Sequence, residues 1–464
     1  MKTQQQILEF HTRPAAMMSP RVPAPLLARH AIDVGYKIWI RLTTRKANSV
    51  LLAILIAACG GGAALAQESA RERQYRVSNL GTLGGTNSRG NSINNRSWVA
   101  GYSNLAGNQS RHAALWRDGS VLDLGTLGGP NSNVTWSVKN NLGIIVGISQ
   151  TATPEPLGER WSCSAFFPGP NNIGYTCLGF VWEDGVMRAL PTLGGNNGFA
   201  TGANNRGQVV GWAENTVRDP TCEAPQVLQF RAVIWGPGRD QIQELPLLPG
   251  DTSGAATAIN NQGQVVGISG ICDQAVGRHT AKHAVLWENG RVTDIGNLGA
   301  EWWNTPTAIN DQGDVVGFAG RPGDPEGNIL RAFIWTRRDG IRPLDPLRGH
   351  AHSEAYGINE RRQVVGISCD ADFIDCRAVL WEDGVTKDLN DLKAPGYSAR
   401  LEHGKDINDD GEITGRAINP STNERTAFLA VPIRRNERDG NEAAKSAARV
   451  KVVLPKNKMK TTLQ

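Results

Sequence analysis

Between about residues 75 and 431 the chain alternates apolar and polar positions in short runs, and no stretch shows the 3.6-residue spacing of an amphipathic helix. The fourth of several similar segments shows the grammar. Thr257 to Asn260 reads as a first strand and Gln264 to Ser269 as a second, with Gly263 at the tight turn between them. Ala284 to Glu288 is the third strand and Arg291 to Ile295 the fourth, joined by Asn289-Gly290. Asn-Gly and Asp-Gly between β-branched runs favour hairpins, because primed turns need positive φ at both central residues. The same signal stands at Asp118-Gly119, Asp184-Gly185, Asp339-Gly340 and Asp383-Gly384.

These segments are copies of one unit. An Asn, followed three residues later by Gly or a substitute and then by an apolar pair and Gly, occurs at Asn94, Asn140, Asn204, Asn260, Asn310, Asn359 and Asn408, at intervals of 46, 64, 56, 50, 49 and 49 residues. A Trp closes the third strand at Trp116, Trp182, Trp235, Trp287, Trp335 and Trp381, with Leu429 in the last unit. Four-stranded units of roughly 40–50 residues are the blades of a β-propeller. The ends agree: Tyr75 to Leu80 is a fourth strand without a unit, and the last unit stops at Val431 without a fourth strand. The expected fold is all-β, a seven-bladed β-propeller of four-stranded blades, closed by pairing strand 75–80 with strand 427–431, which removes two exposed edges.

The submotifs Asp-Leu-Gly-Thr-Leu-Gly-Gly, Ile-Asn-Asn-x-Gly-x-Val-Val-Gly and His-Ala-x-Leu-Trp, in register over about Tyr75 to Val431, resemble the bacterial extracellular HAF repeat. The His is kept only at His112 and His283; Arg231, Arg331, Arg377, Gly179 and Thr426 stand in its place elsewhere. The resemblance implies an exported repeat protein and no particular activity.

Three regions follow. Residues 1–66 read as a targeting segment, with Arg41, Arg45 and Lys46 ahead of the apolar run Val50 to Ala58, too short to span a bilayer. Cleavage after Ala64-Leu65-Ala66 competes with lipidation at Cys59, which would supply the only membrane attachment expected. Residues 67–433 are the repeat domain, and residues 434–464 a basic tail expected to be disordered. The formal charge of +5 is misleading, because residues 1–58 and 434–464 each carry +6 and leave the middle at −7. An acidic domain lacks the basic face a nucleic-acid partner would need.

Six of the seven Cys lie in the connections between second and third strands: Cys163, Cys177, Cys222, Cys272, Cys369 and Cys376. An even number in an exported chain favours disulfides over metal. Six allow fifteen pairings; proximity favours Cys163–Cys177, Cys222–Cys272 and Cys369–Cys376.

Antiparallel strands send the one–two and three–four turns to one face of the disc and the longer loops to the other. The tight-turn face is expected to be plain, and the long-loop face to carry function. Candidate ligand contacts there are Trp302 and Trp303 in the fifth crossing, Trp161 and Tyr175 in the long insertion, and His350 and His352, which form His-x-His-x-Glu with Glu354. The last pattern lacks a further ligand to make a metal site, and Asp406-x-Asn408-x-Asp410 is one copy of the Asn turn rather than a calcium loop. No catalytic residue, metal or cofactor is singled out. The leading expectation is a monomeric binding or adhesion module presenting the loop face to a glycan or protein. The alternatives are a hydrolase or lyase acting on a polysaccharide or ester in the central channel, and a purely structural surface protein. Clustered ionisable groups with displaced pKa values in one pocket would favour the enzyme; an exposed aromatic patch would favour the binding module.

Overall fold

The computed structural model describes residues 73–159, 166–168, 174–236, 238, 240–274, 276–324 and 327–433, and the backbone of 451–453. The targeting segment with Cys59, most of the tail, and Trp161 and Cys163 lie outside these residues.

The described chain is almost entirely β: five four-stranded sheets and one nine-stranded sheet. The fourth unit forms Ser253–Ile259, Val265–Gly270, His283–Glu288 and Arg291–Asp294, paired antiparallel in that order. Its turns follow the sequence signals. Asn260 Oδ1 accepts the backbone N–H groups of Gln262 and Gln264 at 3.1 and 2.9 Å, while Gly263 takes φ +84°. Asn289 and Gly290 both have positive φ, 52° and 73°, as a type I′ turn requires. The Gly that ends each Val-Val-Gly is a matter of space: a Cβ on Gly267 would sit 2.1 Å from Ala255 O, beside a bulge in the first strand.

First strands are longer than expected, as in Gly84–Ile93 and Gly194–Ala203. Their Gly, Ser, Thr and Asn content hides them from a hydrophobicity pattern, yet most of their residues are buried.

The nine-stranded sheet holds the first unit, Gly84–Ile93 to Ser120–Asp123, and the last unit, Arg400–Ile407, Ile413–Ile418 and Arg425–Pro432. They meet through one parallel pair, Asn87 with Arg425. Strand Tyr75–Asn79 lies antiparallel beside Arg425–Pro432, from Tyr75 opposite Pro432 to Asn79 opposite Phe428. In the tail, the backbone of Lys451–Val453 adds a parallel strand beside Ser120–Asp123. The strand they join is otherwise an unpaired edge.

The apolar core lies between successive sheets. Ala258, Val266 and Leu286 of the fourth unit pack on Ile309, Val315 and Phe333 of the fifth, and Ala308 and Val316 of the fifth on Ile358 and Val364 of the sixth. Ala427 of the last unit joins Ile93 and Val99 of the first. The third-strand Trp residues tie the same seams. The indole N–H groups of Trp235, Trp287 and Trp381 donate to Pro191 O, Pro246 O and Asp345 O on the crossings from the preceding unit, at 2.9, 2.6 and 2.7 Å.

Two disulfides join second–third connections, Cys222–Cys272 between neighbouring units and Cys369–Cys376 within one. Cys177 is also disulfide-bonded. Such bonds suit an oxidising compartment. The insertion of the second unit is further held by carboxyl groups. Glu159 Oε1 accepts the N–H groups of Val227 and Leu228 at 2.8 and 2.6 Å. Beside it the wholly buried Glu214 accepts from Asn197 N at 2.8 Å and from Gln226 Nε2 at 3.0 Å. Burial, followed by the charge of Glu159, pushes the Glu214 carboxyl up to about 8.

Candidate functional site

The tight turns were expected to be featureless, but the residue after each anchor Asn builds a relay. The backbone N–H of Asn95 donates to Asn141 Oδ1 at 3.1 Å, Asn141 to Asn205 at 2.6 Å and Asn205 to Asn261 at 2.9 Å. Asn261 donates to Asp311 at 2.8 Å, Asp311 to Glu360 at 2.7 Å and Glu360 to Asp409 at 3.0 Å. Asp409 N then returns to Asn95 Oδ1 at 3.1 Å. A side chain with an acceptor oxygen, Asn, Asp or Glu, is needed at each of these positions because it is the acceptor for the preceding unit.

The relay rims a cavity of about 70 Å³. In six of the seven units the residue before the anchor Asn lines it: Ile93, Ile259, Ile309, Ile358 and Ile407, with Lys139 in the second unit. The Lys139 ammonium crosses to the carbonyls of Ile358 and Ile407 and to the buried Asp406, 3.3 Å away. Five apolar side chains and one engaged cation therefore form a floor across the centre.

Two to four residues back along the first strands, about 7–13 Å at ~3.3 Å per residue, lies a cluster that the sequence analysis did not single out. Arg89, Glu354, Tyr356 and Lys405 belong to first strands of the first, sixth and last units; Tyr102 and Arg416 to second strands; Arg111 to a third strand. Arg89, Arg111, Glu354, Tyr356 and Lys405 are surrounded by protein yet keep partial solvent access, as in a lined cavity rather than a core.

Tyr102 is the centre of the cluster. The Arg111 guanidinium stacks on its ring at 3.9 Å and that of Arg89 lies 5.2 Å from the ring centre. Burial alone would raise the phenol, but the charges of Arg89, Arg111 and Arg416, with a hydrogen bond from Arg416, bring it down to about 7. Arg111 is fixed by Asn104 Oδ1 at 3.0 Å and Phe166 O at 2.9 Å. Arg416 pairs with Glu402 at 2.9 Å and donates to His403 Nε2 at 3.0 Å. Arg89 has no such acceptor, and its Nε is buried without a hydrogen-bond partner.

The second carboxylate is also engaged. Leu330 N donates to His352 Nδ1 at 3.1 Å, so the proton sits on Nε2, which donates to Glu354 Oε1 at 2.8 Å. The Tyr356 hydroxyl donates to Glu354 Oε2 at 2.7 Å. Burial works against the Glu354 charge, yet the bond from His352 and the nearby Lys405 hold its carboxyl below the usual range. Lys405 lies 3.1 Å from the Tyr356 ring centre, and burial, reinforced by Arg89, pushes its ammonium well down.

The sequence-derived candidates lie elsewhere, except His352, which sits behind Glu354. Trp303 is buried, while Trp302 is half-buried with Arg278 5.0 Å from its ring centre. His350 bonds Ser368 Oγ at 2.9 Å, and Tyr175 is half-buried at the start of Tyr175–Glu183. Among the described residues, no aromatic is prominently exposed. The missed residues did carry a signal. Three positions before the anchor, Thr201, Thr257 and Thr307 give way to Tyr356 and Lys405; one position before it, Ile gives way to Lys139.

No protein-family model and no curated protein matches the chain. Among solved structures, virginiamycin B lyase from Staphylococcus aureus is 11% identical, with a TM-score of 0.46 over 78% of this chain and 100% of that one. The β-propeller domain of the Trilobed protease from Pyrococcus furiosus is 11% identical, with a TM-score of 0.43 over 77% and 97%. Puromycin hydrolase is 11% identical, with a TM-score of 0.41 over 70% and 48%. At such values nothing of their chemistry carries over to this chain.

Proposed function

We propose that the chain is an exported seven-bladed β-propeller of the HAF-repeat type, closed by strand Tyr75–Asn79 on Arg425–Pro432, with an anion-binding site in its central channel. The relay that returns to Asn95 and the core contacts of Ala427 with Ile93 support seven blades in a ring. Lys139 and the isoleucines block the channel at the tight-turn rim, so a ligand enters from the long-loop face.

The observation that carries the reading is a charge imbalance. Three guanidinium groups, Arg89, Arg111 and Arg416, cluster with two carboxylates, Glu354 and Glu402, both already bonded; Lys405 is not counted, because burial pushes its ammonium well down. Enclosed cations without partners are costly, and an anionic ligand would offset that cost. Arg89, which has no acceptor, is the contact expected to fork onto a carboxylate or sulfate. This reading places function on the ionisable cluster of the channel, and the ligand is an anionic carbohydrate reached outside the cell.

The test is calorimetric titration of the full chain with oligogalacturonate and a sulfated oligosaccharide at pH 7, at two salt concentrations. Binding that weakens with salt, and weakens roughly tenfold to a hundredfold in Arg89→Met, is expected from the loss of one charged hydrogen bond. Equal affinity in the variant, or no binding of either anion, overturns the reading.

A further inference from the structure

The geometry points to β-elimination on a polyuronate, with Tyr102 as the proton-transferring group and Arg89 as the carboxylate clamp. The inference rests on the anion-binding reading and names its substrate class. Three observations lead to it. First, the two carboxylates of the cavity are committed, Glu354 to His352 and Tyr356 and Glu402 to Arg416. They do not supply the acid and nucleophile that hydrolysis of a glycosidic bond needs. Second, the Tyr102 ring lies against the guanidinium groups of Arg111 and Arg89, 3.9 and 5.2 Å from its centre, and its hydroxyl is bonded by Arg416. Third, Arg89 alone of the three has no acceptor, so it can take a ligand carboxylate beside the Tyr102 ring.

A base next to a clamped carboxylate is suited to removing the proton on the adjoining carbon, because the guanidinium stabilises the charge that develops on the carboxylate. In a 4-linked hexuronic acid that carbon is C5. The Tyr102 phenolate takes the C5 proton, and the C–H electron pair becomes the C4=C5 double bond. The C4–O bond breaks with its pair on the bridging oxygen, which receives a proton from the Tyr102 hydroxyl or from water. One unsaturated uronate and one new reducing end result, with no oxidant and no water consumed. The phenol's low pKa lets it hold and release this proton near neutrality. The groups facing it are Arg89, Arg111 and Arg416, with Glu402 and His403 behind Arg416.

The experiment incubates the full chain with polygalacturonate, alginate and glucuronan. It follows the ultraviolet absorbance of the conjugated product, and measures binding of the same oligomers by calorimetry. The wild type should form unsaturated product from at least one polymer. Tyr102→Phe, which keeps the ring beneath Arg111, should bind within about threefold of the wild type and turn over at least 100-fold more slowly. In the wild type, kcat/KM should rise as pH passes about 7. Binding without unsaturated product, or full turnover by a folded Tyr102→Phe, overturns the elimination and leaves the anion site standing. Absence of binding to every uronate overturns the elimination, and overturns the anion site as well only if the sulfated oligosaccharide also fails to bind. A thermal melt of each variant separates lost chemistry from lost folding; should Tyr102→Phe not fold, Arg89→Lys must lower turnover at least tenfold for the inference to survive.

Discussion

Replacing Glu214 by Gln should stabilise the protein at neutral and alkaline pH and do little in acid. Glu214 is wholly buried beside Glu159, and its carboxyl titrates at about 8 instead of the ordinary 4.5. A carboxyl raised in the folded state keeps its full contribution to stability below about 4.5. It loses that contribution as pH climbs, and the loss is complete above about 8. Each tenfold step is worth about 1.4 kcal/mol, so the interval corresponds to roughly 4–5 kcal/mol. A carboxamide keeps the shape and still accepts from Asn197 N, but its NH2 replaces the oxygen that accepts from Gln226 Nε2, which takes back part of the gain. Allowing for imperfect geometry, Glu214→Gln should exceed the wild type by about 2–4 kcal/mol in urea unfolding at pH 8.5, and by under ~1 kcal/mol at pH 5. A gain of the same size at both pH values, or a wild-type stability that is flat from pH 5 to 8.5, would refute the account of this buried pair.

Two further perturbations probe the frame. Lys139→Met removes the cation from Asp406, leaving its buried carboxylate only the backbone N–H groups of Ile93 and Ile407; a loss of about 3 kcal/mol is expected in urea unfolding, and a change under ~0.5 kcal/mol would mean the contact contributes nothing. Replacing both Cys222 and Cys272 by Ser opens a separation of 50 residues, against 7 for Cys369 and Cys376. Loop entropy then predicts losses of about 4 and about 2.5 kcal/mol, and the reverse order would place the effect in native-state contacts instead.

The architecture was legible because its determinants are local and repeated. Asn260 and Gly263 mark a turn by their own chemistry, as do Asn289 and Gly290. The Trp column could be assigned to packing between units from its position alone. The cluster around Tyr102 was not legible by the same route. Arg89 and Tyr102 are brought together by strand register, and Glu354, Lys405 and Arg416 reach them from units more than 250 residues further along. Seeking function in irregular loops drew attention to Trp302 and Trp303. The departures were single substitutions inside regular strands; two of them, Tyr356 and Lys405, stand at a column where three other units keep Thr. Lys139 escaped notice for the same reason.

The relay of the tight-turn rim has a consequence for how the gene could be rearranged. All seven of its hydrogen bonds run in one rotational sense, from a backbone N–H to a side chain of the following unit. None of them passes through a four–one crossing. A circular permutant that joins Pro432 to Tyr75 by a short linker and begins at Ala300 would keep every link. One opened between Asn261 and Gln262 puts a new terminus on a link. As far as this rim is concerned, the linear order of the units is interchangeable, and only their cyclic order matters.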